Sequence, residues 1–166
     1  MALPTNQPIA PQRNTGDLMR VTNQEQPFHP IYHYAFVVDA VEGLILVNID
    51  TLADLEPRNN NLGRALTWNE DGILRGARHI TIGGHYLYIA ADAGLVIVDA
   101  NDPLKPRVAR VLNIPGIRAS ALQFRYLFVT DATGLRTVDV TVPEQARSVH
   151  PEAPGVPLRD AQRLYA

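Results

Sequence analysis

The chain lacks several residue types on which enzyme mechanisms commonly depend. None of its 166 residues is cysteine, which excludes disulfides, cysteine-ligated zinc, iron–sulfur clusters and thiol nucleophiles. Serine occurs twice, at Ser120 and Ser148, and neither lies in a Gly-x-Ser-x-Gly elbow. No glycine-rich phosphate-binding loop is present. The absence of cysteine fits an oxidising or a reducing compartment equally well.

Charge and long apolar runs are also scarce. Charged residues make up 19% of the chain and the formal net charge is −2, so no basic face is available for nucleic acid. No apolar run approaches the roughly 18 residues that a membrane helix needs. The 46% hydrophobic content is nevertheless enough to fill a core. We therefore predict a globular chain with no membrane span and no nucleic-acid partner.

Residues 1–26 differ from the rest of the chain. They are polar, carry several prolines and lack the apolar centre of a signal peptide. We predict an extended or disordered arm. The alternative is an edge strand laid beside the folded part, for which Met19–Val21 is the one piece that is apolar enough.

The rest of the chain is organised around one unit of two apolar strands. Tyr86–Ala91 and Gly94–Asp99 are joined by an Asp/Gly turn, and a proline-bounded loop follows at 102–106. The strands are continuously apolar instead of alternating, which is typical of strands covered on both faces.

The same unit occurs three times. Its opening tyrosines are 52 and 40 residues apart, and each turn glycine precedes the polar residue that ends the second strand by five positions. The three sets are Tyr34, Gly43 and Asn48; Tyr86, Gly94 and Asp99; and Tyr126, Gly134 and Asp139. A period near 40 built only of strands and turns indicates β-propeller blades.

The repeat predicts an all-β fold of about three propeller-like blades and part of a fourth. The predicted bounds are 27–76 with an irregular insertion at 50–73, then 77–116, 117–157, and 158–166 as the start of the fourth blade. A closed ring takes about 4–8 blades. We therefore expect a fragment of a longer chain, or a piece that completes its core against another subunit.

These residues resemble the LVIVD-repeat family of bacterial and archaeal proteins. The string Gly94–Asp99 and the loop Asp102–Val108 match the family motif, Gly134–Asp139 follows it well, and Gly43–Asn48 follows it more loosely. The resemblance implies a β-propeller-like surface or secreted protein in a family largely without assigned activity. It brings no catalytic residues to this chain.

The repeated acidic residues have a structural interpretation. Asp39, Asp92 and Asp131 stand at turns, where aspartate accepts backbone hydrogen bonds. Calcium ligation is the alternative, but one carboxylate per repeat is too far from the next to share an ion. Asp99 and Asp139 are expected to bond the amides of the following loop, a role in which Asn48 can serve equally.

Histidine offers the other route to a metal. The five histidines are His29, His33, His79, His85 and His150. Pro30 breaks the helix that would align the first two, and no carboxylate is near His79 or His85 in sequence. We therefore predict neither a metal site nor a cofactor.

Two features are candidates for binding. Arg78, Arg118 and Arg159 recur once per blade on the predicted first strand, where they could ring a central channel and attract anions; the alternative is three solvated rim residues. The insertion carries Asn59, Asn60 and Asn61, followed by Trp68, and is either an interaction loop or a loop without function.

The functional hypothesis that follows is a non-enzymatic scaffold outside the cytoplasm that binds a protein or a surface polymer, or further blades of its own parent chain. The alternative is part of an enzyme or carbohydrate-binding propeller whose active residues lie outside this stretch. A third possibility is a purely structural subunit of a larger assembly.

Overall fold

The computed structural model describes residues 1–2, 30–52, 57–149, 156–158 and 160–164. Within these residues the secondary structure consists of β-strands and short 3-10 turns, and the strands form three antiparallel sheets. The predicted all-β class is confirmed. We call the three sheets blades 1, 2 and 3 in chain order.

Blade 1 has three strands, β1 (Tyr34–Asp39), β2 (Gly43–Asn48) and β3 (Gly63–Trp68), which pair in that order. The predicted turn at Asp71-Gly72 follows β3, and both residues have positive φ angles, of 50° and 71°. This turn leads the chain into blade 2.

Blade 2 is the complete repeat. Its strands are β4 (His79–Gly83), β5 (Tyr86–Ala91), β6 (Gly94–Asp99) and β7 (Arg107–Leu112), in the order β4-β5-β6-β7. Six consecutive residues of β6 are buried, because its two faces contact two different blades.

Blade 3 repeats that order with β8 (Ala119–Gln123), β9 (Tyr126–Thr130), β10 (Gly134–Asp139) and the short β11 (Arg147–Ser148). A further two-residue strand, β12 (Val156–Pro157), pairs with the start of β10. The sequence pattern does not predict β12.

The register places the repeated residues in equivalent positions. Tyr34 lies opposite Asn48, Tyr86 opposite Asp99, and Tyr126 opposite Asp139. The three tyrosines therefore open the second strand of each unit, as the repeat predicts.

The core consists of two clusters, one on each side of blade 2. Successive residues of a strand point to opposite faces, so Leu87 and Ile89 join the cluster toward blade 1, whereas Tyr88 and Ala90 join the one toward blade 3. The first cluster includes Phe36, Leu44, Leu46, Leu87, Ile89, Val96 and Val98. The second includes Tyr88, Ala90, Leu95, Ile97, Leu127, Val129 and Val138. Burial on both faces explains the continuous apolar runs of β5 and β6.

The chain start contributes to blade 1 in a way that the sequence does not predict. Ala2 forms a bridge with Phe36, with backbone N–O distances of 2.7 and 2.9 Å. Ala2 thus occupies the edge of β1 where the other blades have their innermost strand. The alternative prediction of an edge strand at Met19–Val21 lies outside the described residues.

The predicted first strand of a fourth blade is partly described. Residues 160–164 carry no strand pairing, and Arg159 and Tyr165 lie outside the described residues. The bounds predicted for the blades, from 27 to 166, stay predictions.

Candidate functional site

The polar residues that end the second strand of each unit have one shared role. Asn48, Asp99 and Asp139 each accept a hydrogen bond through Oδ1 from the backbone N–H two residues ahead, at 2.8, 2.9 and 3.0 Å. The side chain thereby mimics a backbone turn at the entrance of the loop. Because an amide oxygen accepts as a carboxylate does, Asn48 replaces Asp without loss of the turn.

Asp99 has a second partner that Asn48 lacks. Its Oδ2 accepts hydrogen bonds from Nε and Nη2 of Arg107, at 2.9 and 2.7 Å. Burial alone would raise the pKa of Asp99, but the hydrogen bond from Asn101 and the Arg107 guanidinium outweigh it and lower this pKa below its usual value. Asp99 is therefore an ionised group used for structure.

Substitutions at Asp99 separate the turn from the charge. We expect Asp99→Ala to lower the free energy of unfolding by about 1–2 kcal/mol, because the Asn101 amide loses its acceptor. Asp99→Asn keeps that acceptor and should cost less than half as much. The lowered pKa means that the advantage of Asp over Asn is fully present above the usual pKa of 3.8 and is lost as the pH falls through the folded-state value. Urea unfolding of both variants at pH 7 and pH 3 checks this, and equal losses for Asn and Ala at pH 7 would contradict it.

Two of the three turn aspartates cap their own turns. Asp39 accepts hydrogen bonds from the backbone amides of Val41 and Glu42, at 2.7 and 2.9 Å, and these bonds lower its pKa. Asp131 accepts from the amides of Thr133 and Gly134, at 2.6 and 3.0 Å. At these two positions the predicted turn role is confirmed.

Asp92 corrects the prediction for the third turn. Its carboxylate is bonded to the Arg78 guanidinium, which also donates through Nε to the Gly76 carbonyl at 2.9 Å. The reason is local: a Cβ on Gly76 would come within 2.4 Å of the Asp92 carboxylate, so this glycine lets the carboxylate lie against the chain before β4. Asp92 is therefore a partner of Arg78 and not a cap.

The arginines predicted to ring a channel are bonded to carboxylates. Arg78 pairs with Asp92, and Arg118 donates through Nη1 to Asp160 at 2.9 Å and to the Ala161 carbonyl at 3.2 Å. Arg159 lies outside the described residues. A role of these arginines in anion binding stays a prediction, and any anion would compete with an existing carboxylate at Arg78 and Arg118.

The structure does not bring the asparagine loop and Trp68 together. Asn59, Asn60 and Asn61 are exposed before β3, beside the end of β2 at Asn48, whereas Trp68 ends β3 opposite Leu44. Trp68 is half-buried and packs against the core between blades 1 and 2. The two parts of the predicted interaction loop thus lie at opposite ends of one strand.

The described histidines are engaged in polar contacts or ring stacking. Nδ1 of His33 lies 2.8 Å from Oδ1 of Asp50, and the His85 ring stacks on Tyr86 with centroids 4.3 Å apart. His29 and His150 lie outside the described residues. In the described ranges no group of three or more histidine, aspartate and glutamate side chains is arranged to hold a metal ion.

His79 takes part in a polar seam between blades 2 and 3. Its Nε2 lies 2.8 Å from the Ser120 carbonyl oxygen, and Thr81 Oγ1 lies 2.9 Å from both that oxygen and Ser120 Oγ. Since a carbonyl can only accept, Nε2 carries a proton and donates it. Burial lowers the pKa of His79 despite this hydrogen bond, which favours the neutral ring. Nothing in the linear sequence pairs these residues, because they are about 40 positions apart.

The loops at one end of the blades form a common surface, which we call the loop end. It comprises the turns 84–85 and 124–125 and the loops 49–62, 100–106 and 140–146, which follow or precede the repeated tyrosines. Tyr86 donates its hydroxyl to Glu144 of the next blade, and this bond is the main cause that raises the pKa of Tyr86 to about 12. The contact shows that the loop ends of blades 2 and 3 lie side by side.

Exposed apolar side chains occur at the loop end. Phe124 is 92% exposed, and the others are Leu52, Leu62, Leu104 and Val142 at 45–62%. The sequence analysis missed Phe124 as a candidate, although one signal was present: it occupies the position at which the equivalent turn of blade 2 has Gly84. Large exposed apolar side chains are what protein-binding surfaces provide.

The concave features found among the described residues are small. Two depressions of about 150 and 280 Å³ adjoin each other at the loop end of blade 3, and Asp139 and Arg147 line both. Pockets for drug-sized ligands usually hold about 300–1,000 Å³. Both depressions are below that range.

Comparison with known proteins agrees with the repeat. The family model described as the LVIVD repeat matches residues 75–110, which span β4, β5, β6 and most of β7. No curated protein and no solved structure matches the chain. Among the described residues, no helix is long and apolar enough to cross a membrane. The chain is therefore an LVIVD-repeat protein with β-propeller-like blades, and blade 2 is the repeat that the family model identifies.

Proposed function

We propose that this chain is a non-enzymatic scaffold that lies outside the cytoplasm and binds a protein or a surface polymer at its loop end. The polar residues that recur in the repeat support this proposal, because Asp39, Asp99, Asp131 and Asp139 bond the backbone of their own turns. Their chemistry is thus committed to shaping loops. The location outside the cytoplasm rests on the family resemblance.

Phe124 is the observation that carries the proposal. Its φ angle is +53°, in the left-handed region, where a residue with a Cβ costs about 1–2 kcal/mol. Gly84, at the equivalent turn of blade 2, has a φ angle of +60° without that cost. With 92% of its surface exposed, the Phe124 side chain contributes almost no burial to offset the strain. A strained and exposed aromatic residue is better explained by binding than by stability.

Phe124→Gly tests the proposal because it copies the turn of blade 2. We expect the free energy of unfolding to be unchanged or higher, since the strain is removed, while binding to the partner is lost. Aromatic residues at the centre of an interface typically contribute 2 kcal/mol or more, which corresponds to about thirtyfold in affinity. Wild-type and variant chains would be immobilised and exposed to native envelope and extracellular material.

The matched control is Val41→Gly. Val41 is 82% exposed but lies in the β1–β2 turn, at the opposite end of the blades from the loop end. Species retained by the wild type and by Val41→Gly, but not by Phe124→Gly, would support the loop end as the binding surface. If all three chains retain the same species, or none, the proposal is wrong.

A further inference from the structure

The inner edge of blade 1 differs from that of its neighbours. Blades 2 and 3 start with the five-residue inner strands β4 and β8, whereas blade 1 starts with β1, the equivalent of β5 and β9. In the part of the chain that the structure describes, Ala2 alone pairs with this edge, opposite Phe36. An unpaired strand edge is a template for another strand.

Residues 160–164 have the complementary property. Arg118, just before β8, donates to the carbonyl of Ala161 at 3.2 Å and to Asp160. In the repeat register Ala161 is equivalent to Ser120, whose carbonyl accepts hydrogen bonds from His79 and Thr81 on the inner strand of the preceding blade. The segment 160–164 thus lies where the inner strand of the next blade belongs, yet within the described residues it pairs with no second strand.

The registers of the two features match. In blades 2 and 3 the inner strand ends opposite the tyrosine, at Gly83–Tyr86 and Gln123–Tyr126. The equivalent pairing would place Leu164 opposite Tyr34. Gln162 would then lie opposite Phe36, in the position that Ala2 occupies.

The end faces of the array match as well. On blade 3, Phe128 and Leu135 are half-buried, although their equivalents Tyr88 and Leu95 on blade 2 are 2% and 0% exposed. On the outer face of blade 1, Val37 is likewise half-buried, whereas its equivalent in blade 2 is fully buried. Each end face therefore presents one half of an inter-blade core.

We propose that two copies of this chain join head to tail into a six-bladed ring, in which residues 160–164 of each copy form the inner strand of blade 1 in the other. Three blades in one chain are too few to close, whereas six fall within the usual range of about 4–8. The two junctions are identical, so the ring has twofold symmetry and leaves no end face open. Gln162 of the second copy replaces Ala2 opposite Phe36. The other possible occupants of the edge are outcomes of the test below.

Cross-linking tests the register, and the absence of native cysteine makes it unambiguous. Tyr34→Cys in one preparation is mixed with Leu164→Cys in a second, which carries a mass tag, and the mixture is oxidised. Directly opposed residues in a hydrogen-bonded antiparallel pair have Cα atoms about 5.5 Å apart, within the range for a disulfide. We expect the mixed dimer to be the main product on a non-reducing gel. Val41→Cys mixed with Leu164→Cys is the control and should give little product, although Val41 is 82% exposed.

Sedimentation of the full chain over a concentration series tests the assembly. We expect the wild type and Gln162→Thr to sediment with about twice the 18.3 kDa of one chain, and Gln162→Pro, which lacks the amide that bonds Phe36, to sediment as the single chain. Since Gln162 is exposed in the single chain, the proline should leave its fold intact, which circular dichroism checks. A wild type that is monomeric throughout, a dimer unaffected by Gln162→Pro, or cross-linking no stronger than the control would each overturn the proposal.

Discussion

Replacing Gly94 by alanine is expected to lower the free energy of unfolding by about 3–5 kcal/mol, the sum of backbone strain and overpacking. Gly94 opens β6 with a φ angle of +106°, which residues with a Cβ rarely adopt. A Cβ there would lie 2.3 Å from the Leu112 carbonyl oxygen and 2.7 Å from the Ile114 amide nitrogen. Both obstacles are backbone atoms, so no side chain can turn away to make room.

Gly84→Ala is the matched control for Gly94→Ala. Gly84 also has a positive φ angle, of +60°, but a Cβ there would have no atom within 4 Å. Its cost should be limited to about 1 kcal/mol, and Phe124 shows that the equivalent turn of blade 3 accepts a side chain. The two free energies come from urea unfolding at one fixed protein concentration. Equal losses at the two positions would show that the contacts around Gly94 are not as described.

The second large effect is expected for Leu87→Ala, at about 2–5 kcal/mol. Leu87 lies on β5, is fully buried and belongs to the cluster between blades 1 and 2. Its truncation leaves a cavity between two sheets whose strands are held in register by backbone hydrogen bonds, so the site can collapse only in part.

Val108→Ala removes apolar volume from the outer strand of the same blade and serves as the control for Leu87→Ala. Val108 is 36% exposed, and a substitution at such a position usually changes stability by no more than about 0.5 kcal/mol. Both variants would be compared with the wild type by urea unfolding. A loss at Leu87 as small as that at Val108 would mean that the two blades do not share a packed interface.

The strands of the repeat could be predicted from the sequence because each is bounded by residues with a local physical role. The glycines at 43, 94 and 134 all have positive φ angles, and the polar residue five positions later closes the strand by bonding the backbone ahead of it. Local chemistry of this kind is visible in a linear sequence. The predicted bounds of β2, β6 and β10 therefore agree with the structure.

The contacts between blades could not be predicted in the same way. The seam of His79, Thr81 and Ser120 joins residues on adjacent inner strands, and the pairing of Ala2 with Phe36 joins residues 34 positions apart. Neither contact leaves a local pattern. Asp92 has the same turn position as Asp131 but bonds Arg78, because Gly76 leaves space for its carboxylate.

The candidate binding surface was predicted in part. The sequence indicated that the loops carry the function, and it selected the insertion at Asn59, Asn60 and Asn61. It did not reveal that Trp68 belongs to the core or that Phe124 is held exposed in a left-handed conformation. Both facts depend on where a side chain points once the sheets have packed.

The most direct test of the account is a pair of double-mutant cycles on two neighbouring residues of β6. Ile97 belongs to the cluster shared with blade 3, and Val96 to the cluster shared with blade 1. Cycles of each with Leu127 of blade 3, each residue being replaced by alanine, would measure the interaction in the free energy of unfolding. We expect a coupling of about 0.5 kcal/mol or more for Ile97 with Leu127 and almost none for Val96 with Leu127. Equal couplings would contradict a central blade that packs one neighbour on each face.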